Sequence, residues 1–326
     1  MINRRKLLAC MGAGVMTLPG RARTQPVRKL VRIGIVSIGG PSDEMTGPLP
    51  RNRNVRAFLR GMAELGYVFG RDFVTEPRGT DRQAAELVDL KVDLIVATGG
   101  GATLSSLKQA TSTIPIVMTA APDPVSQGYV RSLALPGGNF TGMSLQSLEL
   151  TGKRLQILRE LVPAAETAAI FWDPTDPGLW PAAQVAGQAQ GWKTISVEIR
   201  ELSEIANAFK VAADAGAGAL LIPSSGILFS RAGQITQLAA ESRIPAIYEL
   251  RPFVDGGGLV SYGADIEEIW RHAAVYVHKI MKGTNPAELP IEQPTKFELA
   301  INARAAKSLG LAVPSSILIR ADQIIE

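Results

Sequence analysis

The chain has 326 residues, of which 46% are hydrophobic and 20% are charged, an ordinary globular composition with enough length for two α/β domains. The formal net charge is +4, but residues 1–24 contain five of the 34 basic residues and no acidic residue, leaving 29 basic against 30 acidic residues. The rest of the chain, from residue 25 on, is therefore close to neutral. It has no run of basic residues that could bind a nucleic-acid phosphate backbone, so we expect no nucleic-acid partner.

The N-terminus has the pattern of an export signal. Arg4, Arg5 and Lys6 form a basic start, and residues 7–18 form an apolar segment that is too short to span a bilayer. We predict a signal peptide over 1–24, cleavage near residue 24 and a periplasmic protein; the alternative is a disordered basic tail. The paired arginines leave Sec and twin-arginine export both open.

Cys10 is the only cysteine of the chain, and it lies inside the apolar segment. No apolar region precedes it, so we expect a small apolar residue of the signal rather than a lipidated cysteine. Once the signal is removed, the chain has no disulfide, no thiolate nucleophile and no cysteine-based metal site.

The first half of the body alternates apolar runs with helical patterns. Uninterrupted apolar runs predict parallel strands that are buried on both faces, with helices as the crossovers. The predicted strands are 31–37, 73–75, 92–97, 114–118 and 139–144. Helices are predicted from Val55 to Leu65, from a cap near Asp81, over the segment around Leu104 and Leu107, and between the fourth and fifth strands.

The second half repeats this order. Strands are predicted at 168–172, 194–199, 218–222, 245–248 and 258–262, with helices at 148–161, 203–214, 230–241 and 265–281. A final helix and strand are predicted between 297 and 325. Three apolar runs of this half match three runs of the first half in the same order, which indicates two copies of one α/β lobe.

We therefore predict an α/β fold of two Rossmann-like lobes with parallel sheets. The helix at 265–281 returns to the first lobe and the Pro-rich stretch at 290–294 leaves it again, so neither lobe is contiguous. The first lobe is predicted to contain 31–144 plus 264–290, and the second 145–263 plus 291–326.

Ligands of parallel α/β sheets bind beyond the carboxyl ends of the strands. In this sequence, those ends carry hydroxyls, glycines, one aspartate and two tyrosines. The candidate ligand-binding residues are Ser37, Thr98, Gly99, Gly100, Thr119, Asp123, Ser144, Ser224, Ser225, Tyr248 and Tyr262. Helix N-termini after Gly100 and Ser225 favour a carboxylate or another anion, and the tyrosines could stack on a ligand.

Each polar candidate also has a purely structural interpretation. Thr98, Ser224 and Ser225 are good helix N-caps, and Asp123 could cap the next turn instead of accepting from a ligand ammonium. Trp172-Asp173 ends another strand and is a weaker candidate.

Catalytic and cofactor motifs are missing from the sequence. His272 and His278 lie six residues apart on a predicted helix and so point to opposite faces, unlike paired metal ligands. There is no nucleophile elbow, no Walker lysine and no dinucleotide fingerprint. We expect no catalytic residue, no metal and no cofactor, although Asp123 and Glu249 leave an enzyme possible.

Four segments resemble the ABC-transporter substrate-binding proteins whose known members bind tryptophan or phenylalanine. They are 109–117 (QATSTIPIV), 123–125 (DPV), 135–142 (LPGGNFTG) and 292–299 (EQPTKFEL), and the resemblance extends from Arg32 to Glu326. It implies the type I periplasmic-binding fold, with three crossover segments and closure around a solute. It also implies that Thr98, Thr119, Asp123, Ser144, Ser224, Tyr248 and Tyr262 line the cleft.

Two positions depart from the amino-acid-binding members of that family. Leu145 stands where an acidic residue follows the serine of their Gly-x-Ser motif, and residues 223–226 (PSSG) replace their Pro-Thr-Asp-Asn turn. A buried ammonium without an acidic partner is costly, so these changes favour a carboxylate-bearing ligand, either aromatic or aliphatic.

The resemblance predicts a solute receptor that closes by a hinge and docks, as a monomer, on an ABC permease of the inner membrane. One rival interpretation is an α/β enzyme that acts on a small molecule in the same cleft. The other is a ligand-sensing regulator, but residues 1–30 are too short and too apolar for a DNA-binding domain.

Overall fold

A computed structural model of the protein describes residues 29–38, 40–79, 83–98, 100–223 and 225–326. The predicted signal peptide, Cys10 and the candidate residues Gly99 and Ser224 lie outside these ranges, as does the predicted helix cap at Asp81. Within them, no helix is long and apolar enough to cross a bilayer.

The first sheet has five parallel strands in the order β2-β1-β3-β4-β5. These strands are β1 Val31–Val36, β2 Phe73–Arg78, β3 Leu94–Ala97, β4 Ile116–Ala121 and β5 Phe140–Ser144. Every residue of β3, β4 and β5 is buried, as expected for central strands that are covered on both faces by helices.

The second sheet has seven strands in the order β12-β11-β10-β9-β8-β6-β7. They are β6 Thr167–Trp172, β7 Lys193–Glu198, β8 Ala219–Ile222, β9 Ala246–Tyr248, β10 Val260–Ala264, β11 Phe297–Asn302 and β12 Gln323–Ile325. Among the strand pairings of the described residues, only that of β10 with β11 is antiparallel. The order β7-β6-β8-β9-β10 repeats that of the first sheet, so the duplicated α/β architecture predicted from the sequence is confirmed.

Helices cover both sheets. In the described ranges they are α1 Arg53–Glu64, α2 Glu86–Asp89, α3 Ala102–Ala110, α4 Thr151–Leu161, α5 Leu179–Ala189, α6 Ile205–Asp214, α7 Gly226–Ser230, α8 Ala232–Ser242, α9 Arg251–Asp255, α10 Ile266–Met281, α11 Ala303–Leu309 and α12 Ser315–Arg320. The first begins where Asn52 Oδ1 accepts from the amides of Asn54 and Val55 at 3.1 Å each, and it buries the predicted stripe of Val55 and Phe58.

We call each sheet with its helices a lobe, and the chain passes between the lobes three times. It leaves the first sheet after β5, returns as α10, which packs against α1, and leaves again towards β11. The α1–α10 contact is close because Gly61 lies there: a Cβ at Gly61 would come within 2.2 Å of the Arg271 carbonyl oxygen. The residue limits of the two lobes given above remain a prediction.

Three predicted helical segments differ from the structure. The helix expected between β4 and β5 is a series of turns, because Pro122, Pro124 and the positive φ of Gly128 (71°) break a helical path. The helix expected from Asp81 is only the four-residue α2 in the described part. The C-terminal stretch has two helices, α11 and α12, separated at Gly310, which adopts a left-handed conformation.

Candidate functional site

The carboxyl ends of the two sets of parallel strands face each other across a cleft. Its inner pocket, of about 20 Å³, is lined from the first lobe by Ser37, Ile38, Asn54, Thr98, Gly100, Ala120 and Pro122. The second lobe contributes Ser225, Gly226, Phe229 and Leu250, and the start of α10, which returns to the first lobe, contributes Ile266. A wider mouth of about 240 Å³ adjoins it and shares Ile38, Gly100 and Gly226 with it.

The lobes touch at the mouth of this cleft. The Gln127 side-chain amide donates to the Thr175 carbonyl oxygen at 3.1 Å. Gly101 has φ of 56°, and a Cβ there would lie 2.3 Å from Thr175 Oγ1. Pockets for small molecules usually have about 300–1,000 Å³. The lobes must therefore separate to admit a ligand of amino-acid size.

Four of the residues predicted from the sequence meet in the inner pocket: Ser37, Thr98, Gly100 and Ser225. Ser225 also caps α7, because its Oγ accepts from the Leu228 amide at 3.2 Å. Ser225 can therefore cap α7 and still face a ligand in the pocket.

Three others hold the ends of strands in place. Thr119 is fully buried and its Oγ1 donates to the Ala97 carbonyl oxygen at 3.2 Å, which links β4 to β3. Ser144 Oγ accepts from the Gln146 amide at 3.3 Å. Asp123 Oδ1 accepts from the amides of Val125 and Ser126 at 3.2 and 3.1 Å, the capping role considered as the alternative.

The structure does not bring the two tyrosines to the pocket. Tyr248 is fully buried and stacks on Phe253, with ring centroids 4.9 Å apart. Tyr262 packs on a core of the second lobe and lies 6.1 Å from the Phe297 ring centroid. Phe229, which was not among the candidates, is the half-buried aromatic side chain of the inner pocket.

An acidic cluster lies at the mouth, and sequence reasoning missed most of it. Asp173 lines the mouth, and its Oδ1 accepts from the Thr175 amide at 2.8 Å. Asp176 is only 6% exposed, and its Oδ1 has no hydrogen-bond partner among the described residues. Burial raises the pKa of Asp176 to about 7, with further contributions from Glu249, Asp123 and Asp173.

The charges of this acidic cluster also act on Tyr129 of the first lobe. The Tyr129 hydroxyl donates to the Gly101 carbonyl oxygen at 3.1 Å. Burial raises the pKa of Tyr129; the hydrogen bond with Ser105 opposes this rise, and the charges of Asp173 and Asp176 add to it. The cleft mouth therefore combines carboxylates of the second lobe with groups of the first, an arrangement suited to a cation that both lobes enclose.

The two histidines contact other side chains, and each has a different partner. The Tyr67 hydroxyl and His278 Nδ1 lie 2.9 Å apart, and His272 Nε2 lies 2.7 Å from Glu292 Oε2. Across the described ranges, no group of three or more His, Cys, Asp or Glu side chains could hold a metal ion.

A family model described as ABC transporter substrate binding protein matches residues 73–325. The chain belongs to this family. The function predicted from the resemblance, that of a substrate-binding protein, is therefore confirmed at the level of the family.

Similar proteins agree with this assignment. A tyrosine-binding protein of Clostridioides difficile is 25% identical over 268 residues, which is 78% of this chain and 76% of that protein. A conserved domain protein from Vibrio cholerae has a TM-score of 0.81 and 22% identity over 91% of this chain and all of that one. An ABC domain from Streptococcus pneumonia, in complex with L-Trp, has a TM-score of 0.80 and 22% identity over the same shares. These likenesses confirm the type I periplasmic-binding fold.

In this substrate-binding protein, a buried ion pair lies where the chain crosses between lobes. Arg154 Nη2 and Glu249 Oε1 are 3.0 Å apart, and both side chains are 1% exposed. Ser147 Oγ donates to the same carboxylate oxygen at 2.5 Å, and Arg154 donates to the carbonyl oxygens of Ser147 and Tyr262 at 2.8 Å each. Burial lowers the pKa of Arg154, and Glu249 opposes that shift. The network fixes the first crossover to β9 and β10.

Proposed function

We propose that this protein is the extracytoplasmic receptor of an ABC importer and that it closes on a zwitterionic α-amino acid with an apolar or aromatic side chain. The observation that carries the proposal is the buried Asp176 carboxylate. It has one oxygen without a partner among the described residues, and it lies beside the mouth of a cleft with apolar walls.

The acidic cluster supplies what the sequence comparison had found missing. The departures at Leu145 and at residues 223–226 remove two acidic groups, but Asp173 lines the cleft mouth, and the buried carboxylate of Asp176, which interacts with it, lies three residues further along the chain. Burial, with smaller contributions from the charges of Glu249, Asp123 and Asp173, raises the pKa of Asp176, and a ligand ammonium would compensate both effects. A ligand with only a carboxylate would face repulsion here instead.

The remainder of the cleft fits the other parts of an amino acid. Phe229, Leu250 and Ile266 form an apolar wall for a side chain. Across from them, Thr98 and the chain around Gly100 lead into α3, whose first amides form no helical hydrogen bond and suit a carboxylate. The carboxylate predicted from the sequence is thus retained, with an ammonium added.

The names of similar proteins point to the same class. One is a tyrosine-binding protein and another was solved with L-Trp. At 25% and 22% identity these names suggest which ligands to try first, namely the aromatic amino acids.

Closure would work as a two-state hinge. Residues of both lobes contact one ligand, so binding favours the closed state over the open state by the difference in contact energy. We propose that the closed form docks as a monomer on the permease, and that residues 1–24 direct export to the periplasm.

Calorimetric titration of the exported protein with the twenty amino acids tests the proposal. We expect at least one aromatic amino acid to bind, to be recovered unchanged, and to lose affinity at least about 30-fold when its amino group is replaced by hydroxyl, because about 2 kcal/mol or more is lost with a buried charge partner. Asp173→Asn should weaken binding similarly, whereas Glu166→Gln, an exposed carboxylate paired with Lys193, should leave it unchanged. Preferential binding of deaminated acids would refute the amino-acid assignment.

A further inference from the structure

A second cavity lies at the other end of the second lobe, away from the cleft. It has a volume of about 510 Å³, within the usual range for small-molecule pockets. It is formed between α8 and α11 where β9 and β10 begin, marked by Ala246 and Leu259. The interlobe cleft lies beyond the opposite, carboxyl ends of these strands.

The walls of this cavity are mainly apolar. Ala239 and Ile244 come from α8 and the turn after it, Leu309 from the end of α11, and Ile325 from β12. Such walls suit the apolar body of a small molecule rather than a hydrated ion.

One wall residue carries a buried polar atom that needs a partner. Tyr248 lines the cavity, is fully buried, and its hydroxyl has no hydrogen-bond partner among the described residues. Its ring lies under Gly258, where a Cβ would come within 2.5 Å of the ring, and against Phe253. Phenylalanine would fill this space without the cost of a buried, unpaired hydroxyl.

The rim of the cavity carries a cation. Arg304, the second residue of α11, is exposed and forms no ion pair with another described residue. Among the described residues of the lining, the one carboxylate is Asp255, and it already pairs with Arg251 at 3.3 Å and Arg53 at 3.6 Å. An anion at the rim would therefore meet a guanidinium that pairs with no carboxylate in the described part of the chain.

We propose that this cavity is a second binding site, for a small aromatic carboxylate that carries a further polar atom. The aromatic body lies between α8 and α11, the polar atom accepts from the Tyr248 hydroxyl, and the carboxylate faces Arg304. The site is separate from the cleft, so its ligand binds whether or not the cleft is occupied.

Titration of the ¹⁵N-labelled exported protein with 6-hydroxy-2-naphthoate, followed by NMR, tests this site. We expect amide shifts at Ala240, Gly256, Gly257 and Ala305 and none at the cleft glycines Gly100 and Gly226. 2-Naphthol, which lacks the carboxylate, and 2-naphthoate, which lacks the hydroxyl, should both bind more weakly.

Three variants assign the contacts. Arg304→Gln should weaken 6-hydroxy-2-naphthoate about fivefold, as for an exposed charge pair, whereas Lys307→Gln on the same helix should not. Tyr248→Phe should remove the preference over 2-naphthoate. Ala240→Phe at the exposed rim should block the cavity, and Ala305→Phe serves if that variant does not fold.

Amino-acid binding in the cleft should be unchanged in all of these variants, which separates this proposal from the proposed function. The second site would be refuted by amide shifts that are confined to the cleft or by no shifts at all. It would also be refuted by equal affinity in the wild type, Arg304→Gln and the blocked variants.

Discussion

Two buried carboxylates of the second lobe have opposite surroundings. Glu249 is 1% exposed and is held by Arg154 and the Ser147 hydroxyl. Asp176 is 6% exposed, has an oxygen without a partner among the described residues, and lies near other carboxylates. Burial costs a charged group several kcal/mol unless a partner compensates it. Glu249 is therefore a structural group, whereas we propose that a ligand ammonium supplies the partner of Asp176.

Each of these two carboxylates is the sequence neighbour of a residue that lines the cleft. Glu249 is followed directly by Leu250, which lines the inner pocket, and Asp176 follows Asp173 and Thr175, which line the mouth. Changes to the first carboxylate should thus affect stability, and changes to the second should affect the pH dependence of stability and binding.

The largest effect is expected from breaking the ion pair. Arg154→Met should lower the free energy of unfolding by about 3–5 kcal/mol, because Glu249 is left buried without its charge partner. Urea denaturation measures the loss. Lys153→Met, which changes the neighbouring lysine on the same helix, should cost little, and a loss below about 1 kcal/mol in Arg154→Met would contradict the structural role of the pair.

The next effect concerns the pH dependence of the ligand-free protein. The pKa of Asp176 is about 7 in the folded state against an ordinary 3.8, so the folded state holds the additional proton between these values. The free energy of unfolding should therefore fall as pH rises from about 4 to 7, by up to about 4 kcal/mol. Asp176→Asn should flatten this slope in denaturation series, and an unchanged slope would locate the titration elsewhere.

Closure should depend on the absence of a side chain at Gly101. Gly101→Ala would place a Cβ 2.3 Å from Thr175 Oγ1 at a positive φ of 56°, so the closed state should lose about 1–2 kcal/mol. Amino-acid affinity, measured by calorimetry, should fall about tenfold. Gly233→Ala is the matched control because no atom lies within 4 Å of its Cβ, and equal affinities in both variants would argue against closure at this point.

The smallest effect is expected at the inner pocket. Thr98→Ala should weaken binding about fivefold, the value of one neutral hydrogen bond, with little change in stability. Thr284→Ala, at an exposed threonine far from the cleft, should change neither quantity. Wild-type affinity in Thr98→Ala would remove this hydroxyl from the site.

The sheets could be predicted from the sequence because central parallel strands are buried on both faces and leave uninterrupted apolar runs, as in 94–97 and 218–222. Their duplicated order followed from the same runs. The two C-terminal helices were not predicted separately, because α11 and α12 are only seven and six residues long and are too short to show a clear helical hydrophobic periodicity.

The cleft could be predicted less completely. Thr98 and Ser225 were found because strand ends meet at one edge of a parallel sheet. Tyr248 also ends a strand, yet its ring packs on Phe253, a choice that depends on side-chain packing rather than on position along the strand. Asp123, Asp176 and Glu249 are far apart in the chain, and only the fold shows that their charges interact.

The most direct test of the account is the number of protons released when an aromatic amino acid binds. If the ligand ammonium lies against Asp176, binding ionises that carboxyl. Calorimetry in buffers of different ionisation enthalpy should then show release of about 0.9 proton at pH 6 and about 0.1 at pH 8, given a pKa of about 7. Binding without proton release at pH 6, or with proton uptake, would contradict the assignment of the acidic cluster as the ammonium site.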